Sequence, residues 1–370
     1  MRRDIPRPRP GAINFSLTMD TLTHALSGAL IARATAGRGN GNALPLGRRL
    51  LLGAAAAAFP DADFVMSFGS PIAYLLSHRG ITHSLIMLPL WALLLAWLAA
   101  RLWRDPRGWR AYLAVTAMGV GIHIAGDVIT SYGTMIFAPL SDARFALGTT
   151  FIIDLYFSGI ILAGLAASGL WRASRAPAVA ACVALFAYVG FQAVLRQQAI
   201  DAGREYARAQ GLAGARVTAL ERPVSPFNWR IVVTHGDEQR YADVNLLATT
   251  MPPPAAADAA LTARLSAAFA PVAMARWVAA PRFGHSPEDA RVARDAWQQA
   301  SFSFYRWFAD FPALYRIDRG NPSLCVWFED LRFNLPGRGN IPFRYGMCRE
   351  DGQPWRPHRL AAGTEHVPLE

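Results

Sequence analysis

The stretch SHRGITHS, residues 77–84, sets His78, Arg79 and His83 directly before a run of apolar residues long enough to cross a bilayer. Imidazoles are acid–base groups and metal ligands, and at the rim of a membrane segment each carries a desolvation cost that demands a partner. Other groups share this character. His24 opens an apolar segment in MDTLTH, FPDADF closes another with Asp61 and Asp63, and HIAGD places His123 and Asp127 at i and i+4. That last spacing puts both side chains on one helix face, where they can share a metal ion or hydrogen-bond between packed helices. Asp61 and Asp63, two apart, point the same way in an extended stretch, which suits a metal as well as a solvated helix end. Acids at a helix C-terminus oppose the macrodipole, so a nearby cation would explain them. Asp154, in FIIDLYF, begins a further apolar segment and is a candidate ligand or an acceptor for a histidine. Arg79 reads as a phosphate clamp or as an interfacial anchor, with the anchor preferred.

The elements that must position these residues are largely apolar. Runs near residues 84–103, 111–131, 151–171 and 177–195 each hold roughly the 20 residues that span a bilayer core, predicting four membrane helices. The shorter segments 21–37 and 50–60 read as tilted spans, half-helices or re-entrant elements, the first with Asp20 able to cap it. Arginines crowd three loops: Arg38, Arg48 and Arg49; Arg101, Arg104, Arg107 and Arg110; Arg172 and Arg175. The positive-inside bias puts these loops in the cytoplasm, and 61–83, 132–150 and everything after 196 on the other side. All the candidate acids and imidazoles then fall near one membrane face. Independent caps and snorkelling residues would be spread over both faces, and this one-sided clustering favours a metal site.

The predicted fold is a membrane α-helical bundle, with four spans and two shorter membrane segments, followed by a soluble α+β domain. Residues 1–18 read as a disordered lead, with Met19 a plausible start; 19–197 form the metal-binding membrane domain and 198–370 an extracytoplasmic α+β domain. Within the latter, WRIVVTHGDEQRYADVNLL predicts two strands around a Gly-Asp turn, 257–275 and 286–309 predict helices, and LCVWFEDLRFN and IPFRYGMCRE return to strand-like alternation. His235, His285, His358 and His366 have ordinary explanations in a turn, a helix start and a polar tail.

Composition narrows the function classes. The 370 residues are 53% hydrophobic, and the 37 basic residues include no lysine, which excludes lysine Schiff-base and lysine general-base chemistry. The net charge of +11 comes from dispersed arginines without a basic helix, an aromatic platform or zinc-finger spacing, so membrane lipid rather than nucleic acid is the expected partner. There is no GxSxG for a serine hydrolase. No CxxC pair occurs among the three cysteines; Cys325 and Cys348 can bridge if their half lies outside the cytoplasm.

Imidazoles mixed with carboxylates, without thiolates, suit zinc, with manganese, iron or cobalt as alternatives. The candidate ligands are His24, Asp61, Asp63, His78, His83, His123, Asp127 and Asp154, more than a closed structural site needs. That surplus favours one or two divalent ions with open positions, and two ions would activate a water for phosphoester displacement. Together MDTLTH, FPDAD, SHRGITHS and HIAGDVITSYGT resemble the YdjM-like family of bacterial inner-membrane proteins called metal-dependent hydrolases, over roughly residues 19–200. That family is similar in turn to the zinc-dependent phospholipase C and P1-nuclease superfamily. The resemblance implies that His24, Asp61, His83, His123 and Asp127 are ligands, while His78 and Asp63 match the motifs without an assigned role. The expected activity is hydrolysis of a lipid or other envelope phosphoester at the inner membrane, with Asp61, His83 and Asp127 as catalytic residues. The alternatives are a non-catalytic scaffold held by metal and an ion transporter.

Overall fold

The computed structural model describes residues 15–37, 44–256, 258–320, 323–336, 341–360 and 366–369, with side chains from residue 21 onward. The N-terminal half is helical: α1 Phe15–Ala34, α2 Leu46–Ala58, α3 Pro71–Ser77, α4 Leu88–Leu102, α5 Arg110–Val128, α6 Leu155–Leu170 and α7 Ala176–Ala209. Helix α1 begins before Asp20, which therefore lies inside the helix and does not cap it. Of the expected lead, residues 1–14 lie outside the described residues and 15–18 are helical.

Among the described residues, α5 and α7 are long and apolar enough to cross a membrane, and bent pairs bring the candidate spans to 4 at most. One pair joins α2 to the 3-10 segment Pro60–Phe68 at 44°, and the other joins Pro71–His83 to α4 at 76°. The expectation of four unbroken spans is corrected at two of them. The run 84–103 yields only the 15 residues of α4, because Ser84 Oγ instead accepts the backbone N–H groups of Ile86 and Met87 in a turn. The run 151–171 yields the 16 residues of α6, because Asp154 caps that helix and excludes the residues before it.

Small residues let the central helices approach closely. A Cβ on Gly28 of α1 would lie 2.1 Å from the Gly53 carbonyl oxygen and 2.4 Å from Ala57 Cβ in α2, and one on Gly119 of α5 would lie 2.7 Å from Ala56 Cβ. Three backbones thus meet where no larger side chain fits. The arginine loops gather at the end of this bundle away from the acids and imidazoles. Arg33 donates to the Arg172 and Ser174 carbonyls, Arg49 to Ala32 and Thr35, and Arg175 to Ala36.

Helix α7 is one continuous element whose 34 residues measure about 51 Å at 1.5 Å per residue. The change in composition at 197–198 falls inside it: its later turns bury Leu195, Ala199 and Ile200 against Ala219, Trp229 and Ile231 of the first sheet. That sheet has the order β1-β2-β3-β4, formed by β1 Arg216–Glu221, β2 Asn228–His235, β3 Glu238–Asn245 and β4 Ala270–Pro271, with β5 Val278–Ala279 also on β3. The β2–β3 hairpin turns at Gly236, φ +62°, as the Gly-Asp signal predicts. Helix α8 covers only Leu261–Ser266 of the expected helix 257–275, whose remainder supplies β4 and a 3-10 turn.

The expected helix 286–309 is two, α9 Pro287–Gln298 and α10 Ser303–Phe308, interrupted at Gln299 by an extended residue, ψ 135°. Ser286 caps α9, its Oγ accepting from Asp289 N at 3.0 Å. The second sheet is an antiparallel meander, β10-β9-β8-β7-β6, of β6 Pro312–Arg319, β7 Ser323–Asp330, β8 Tyr345–Glu350, β9 Arg356–Leu360 and β10 His366–Pro368. Its core is aromatic: Trp297, Phe302, Tyr305, Phe308 and Phe328 pack together, and Leu75 and Tyr132 from the helical half join them. Cys325 and Cys348 stand opposite each other on β7 and β8 and form a disulfide.

Candidate metal centre

The close approach of α1, α2 and α5 places the central ligands. His24 sits one turn before Gly28, and His123 and Asp127 follow Gly119 at one-turn intervals, so the glycines that allow the contact also fix where these side chains meet. Helix α2 stops at Pro60, whose ring cannot continue a helix, and the 3-10 segment that follows turns Asp61 toward His123. His83 arrives on the short 3-10 turn Ile81–His83, between α3 and α4.

Five of the expected ligands converge. His83 Nε2 lies 3.1 Å from Asp127 Oδ2 and 3.9 Å from Asp61 Oδ1; His123 Nε2 lies 3.4 Å and 3.7 Å from the same two oxygens. His24 Nε2 is 3.3 Å from Asp127 Oδ1, and the His24 and His123 rings lie 3.9 Å apart. His83 and His123 are fully buried at 0% exposure, Asp127 is at 1%, and the Asp61 side chain, at 12%, is the most accessible of the set. Thr21 Oγ1 holds that carboxylate by donating to Oδ2 at 2.7 Å.

The hydrogen bonds around the cluster fix which nitrogen faces inward. His123 Nδ1 is 2.6 Å from the Ala57 carbonyl, which can only accept, so Nδ1 carries a proton. Thr82 Oγ1 donates to Asp63 Oδ2 at 3.4 Å and lies 2.9 Å from His83 Nδ1, which places a proton there as well. As neutral imidazoles, both rings then turn their Nε2 lone pairs toward carboxylate oxygens. Among the described residues, neither Nε2 and neither oxygen of Asp127 makes a well-formed hydrogen bond, although Arg79 Nη2 stands 3.0 Å from Asp127 Oδ1 as an ion pair. Buried acceptors facing acceptors cost about 1–3 kcal/mol each when nothing satisfies them, and a cation between them removes that cost. The donor set also suits a metal: groups of His24, His123 and Asp127, and of Asp61, His83 and His123, each hold their ligand atoms within 4.8 Å of one another.

Three other expected residues stand apart from this convergence. His78 Nδ1 bonds Asp63 Oδ1 at 2.9 Å, and Asp63 Oδ2 accepts from Arg79 N at 3.1 Å and from Thr82, so the pair braces the His83 turn from outside. The 3-10 geometry is why Asp61 and Asp63 do not point the same way as an extended stretch would require. Asp154 as a metal ligand is corrected: its oxygens accept from Tyr156 N, Phe157 N, the Tyr188 hydroxyl and Gln192 Nε2, all within 2.9 Å, and it caps α6. The anchor reading of Arg79 is corrected too, since it is 2% exposed and its Nη2 lies 3.0 Å from Asp127 Oδ1.

Sequence reasoning missed Thr21, Thr82, Thr130 and Tyr132. Their signal was adjacency to a motif histidine or acid, which hydroxyl residues share with many bystanders. Tyr132 links the centre to the C-terminal half: the Arg79 guanidinium lies 4.8 Å from its ring, Phe308 packs on it at 5.6 Å, and its carbonyl accepts from Arg332 Nη1 at 2.8 Å. A second His-containing group, Cys348, His358 and His366, offers no thiolate, because its sulfur is committed to Cys325.

Residues 19–199, which contain every converging ligand, match the family described as YdjM inner membrane protein. The uncharacterized protein YfhP of Bacillus subtilis (strain 168) is 27% identical over 178 residues, which are 48% of this chain and 53% of that protein, so the match spans about half of each. No solved structure matches. The motifs, the apolar helices and the family match together place the chain among membrane proteins: its helical region, residues 19–199, matches the YdjM inner membrane protein family.

Proposed function

We propose that His24, Asp61, His83, His123 and Asp127 bind a divalent metal ion and that the protein hydrolyses a phosphoester at the membrane surface. The observation that carries this reading is the pair of buried Nε2 atoms, on His83 and His123, aimed at Asp127 with their Nδ1 atoms bonded outward. Zinc is the first choice for three imidazoles and two carboxylates without thiolate. Bound there, a divalent ion would supply a Lewis acid that polarises a phosphoryl oxygen and acidifies a water.

The chain's own residues supply the remaining functions. The Ala57 carbonyl and Thr82 hold the imidazole tautomers, an arrangement that fixes ring orientation and raises ligand basicity. Asp61, the most accessible carboxylate, is placed to accept the proton of an attacking water, while Thr21 fixes its rotamer. Burial of His83, His123 and Asp127 keeps bulk water from competing with the substrate. The phosphoester belongs to a lipid or another envelope molecule.

The arginine-bearing end of the bundle is assigned to the cytoplasm, and the centre with the C-terminal half to the opposite side, in an inner membrane. The Cys325–Cys348 disulfide supports that side, since such bonds persist in oxidising compartments. A second reading, a metal that only clamps α1, α2 and α5, is favoured by the near-complete burial of four ligands.

Metal analysis of the detergent-purified chain, followed by a phosphoester screen, separates the two. Stoichiometric metal and turnover, both lost in His83→Ala and Asp127→Ala, are expected. Metal without turnover on any phosphoester supports the clamp, and a folded protein that takes up no metal ends both readings.

A further inference from the structure

The separations between ligand atoms carry information about how many ions the centre holds. Donors bound tetrahedrally at about 2.0–2.2 Å from one zinc ion stand about 3.3–3.6 Å from each other. The contacts of His83 and His123 with Asp61 Oδ1 and Asp127 Oδ2 run from 3.1 to 3.9 Å, close to the spacing within one coordination polyhedron, while His24 Nε2 meets the other oxygen of Asp127 at 3.3 Å.

A second ion would need further ligands, and among the described residues the other expected acids are already occupied. Asp63 is occupied by His78, Arg79 N and Thr82, and Asp154 by four donors of its own. Asp127 Oδ1, which could bridge to a second ion, faces Arg79 Nη2 at 3.0 Å as well as His24 Nε2 at 3.3 Å.

Arg79 is built into this position. Its backbone is left-handed, φ 59°, a conformation a residue with a side chain adopts at a cost. Its N–H is bonded to Asp63, and its carbonyl accepts from Met135 N at 2.9 Å. The guanidinium donates through Nη1 to Thr130 Oγ1 at 2.8 Å and to the Asp127 carbonyl at 3.3 Å, and it lies against the Tyr132 ring. Among the described residues, the three carboxylates Asp61, Asp63 and Asp127 stand against this one fixed cation. With imidazoles as neutral ligands, one divalent ion closes the charge deficit and two overshoot it.

Resting on the metal reading above, we propose that the centre holds one divalent cation and that Arg79 is its fixed partner charge. It neutralises Asp127 Oδ1 and orients that carboxylate, in the role a second ion plays in two-metal phosphoesterases. Arg79 is thus a positioning residue for the metal ligand Asp127.

The test is zinc titration of the full-length, chelator-stripped protein in detergent, read by elemental analysis, calorimetry and X-ray absorption. Wild type is expected to saturate at one zinc per chain, with no zinc–zinc scattering at the roughly 3.5–4 Å of two-metal sites. Arg79→Met, which keeps length and loses charge, is expected to bind zinc about 10–100-fold more weakly, and Arg79→Lys to recover part of the loss. Two zinc ions per wild-type chain overturn the proposal and leave the metal reading standing. Unchanged affinity in a folded Arg79→Met overturns the positioning role. Should that variant not fold, Thr130→Val removes the acceptor of Nη1 and keeps the guanidinium; a smaller loss of affinity supports the proposal, and no loss overturns it. A folded wild type that binds no zinc removes the metal reading and this inference together.

Discussion

Both halves of the molecule bury charge, and they treat it differently. In the C-terminal half the acids Asp330, Asp310, Asp243 and Glu329 are each closed by an arginine within the chain. Arg332 meets Asp330 at 2.8 Å and Asp310 at 2.7 Å while donating to three backbone carbonyls; Arg230 meets Asp243 at 2.6 Å; Arg344 meets Glu329 at 2.7 Å. Against the cost of burial, Asp330 and Asp310 hold the Arg332 guanidinium above its ordinary pKa. In the helical half, His83, His123 and Asp127 are as deeply buried, and Arg79 pairs with one oxygen of Asp127, yet among the described residues the inward-facing His83 Nε2, His123 Nε2 and Asp127 Oδ2 make no hydrogen bond. A closed ion network is a structural element; an open one facing inward is shaped for something the chain does not itself provide.

The comparison breaks if the two networks respond alike. Arg332→Ala strands Asp330 and two loop carbonyls and is expected to destabilise the protein by about 3–5 kcal/mol in denaturant unfolding, with the response to chelator retained. Chelation of wild type at a metal concentration of about 100 times Kd is expected to remove about 2.7 kcal/mol, seen as a fall in thermal midpoint, and Asp127→Ala should show no such fall. Equal chelator sensitivity in the two proteins would mean that the open network is not the metal's binding place.

Two smaller effects sharpen the contrast. Gly28→Ala forces α1 away from α2, at a cost of about 1–3 kcal/mol, and should weaken zinc binding in the same variant because His24 and the Ala57 carbonyl move apart. Retained zinc affinity would show that the helix contact does not position the ligands. The smallest effect is at Glu221, where the halves meet and Ser131 N donates to the buried carboxylate at 2.8 Å. Burial raises its pKa above the ordinary 4.5. The folded state then holds the proton more tightly than the unfolded chain, so this contribution is full below about pH 4.5 and is lost as pH rises through the folded-state value. Glu221→Gln should remove a slope of at most about 1.4 kcal/mol per pH unit from the stability profile above pH 4.5. An identical profile in the variant would show that Glu221 does not titrate there.

Much of the centre was legible because its chemistry repeats along the chain. Asp61, His83, His123 and Asp127 lie at or near helix ends on one predicted face, whereas His24, expected at a helix start, lies midway along α1; the i to i+4 pair of α5 needed only helical geometry. Asp154 was misread because a helix cap and a metal ligand make the same demand of a carboxylate, that it accept; only the donors from Tyr188 and Gln192, far along the chain, tell them apart. Arg79 was misread for a similar reason. An arginine beside a membrane segment usually reaches for the surface, and its left-handed backbone and the Asp127 contact come from long-range packing.

The sequence by itself determined the membrane-embedded helical half, the β-rich half after it and the residue types able to hold a metal, because hydropathy and ligand chemistry are local properties. Only the tertiary structure decided which acids face the imidazoles, which nitrogen each ring turns inward, that Arg79 is buried against Asp127, and that the second sheet braces the loop beside them. Those outcomes depend on how closely three helices approach and where each breaks, and such distances exist only once distant segments have packed.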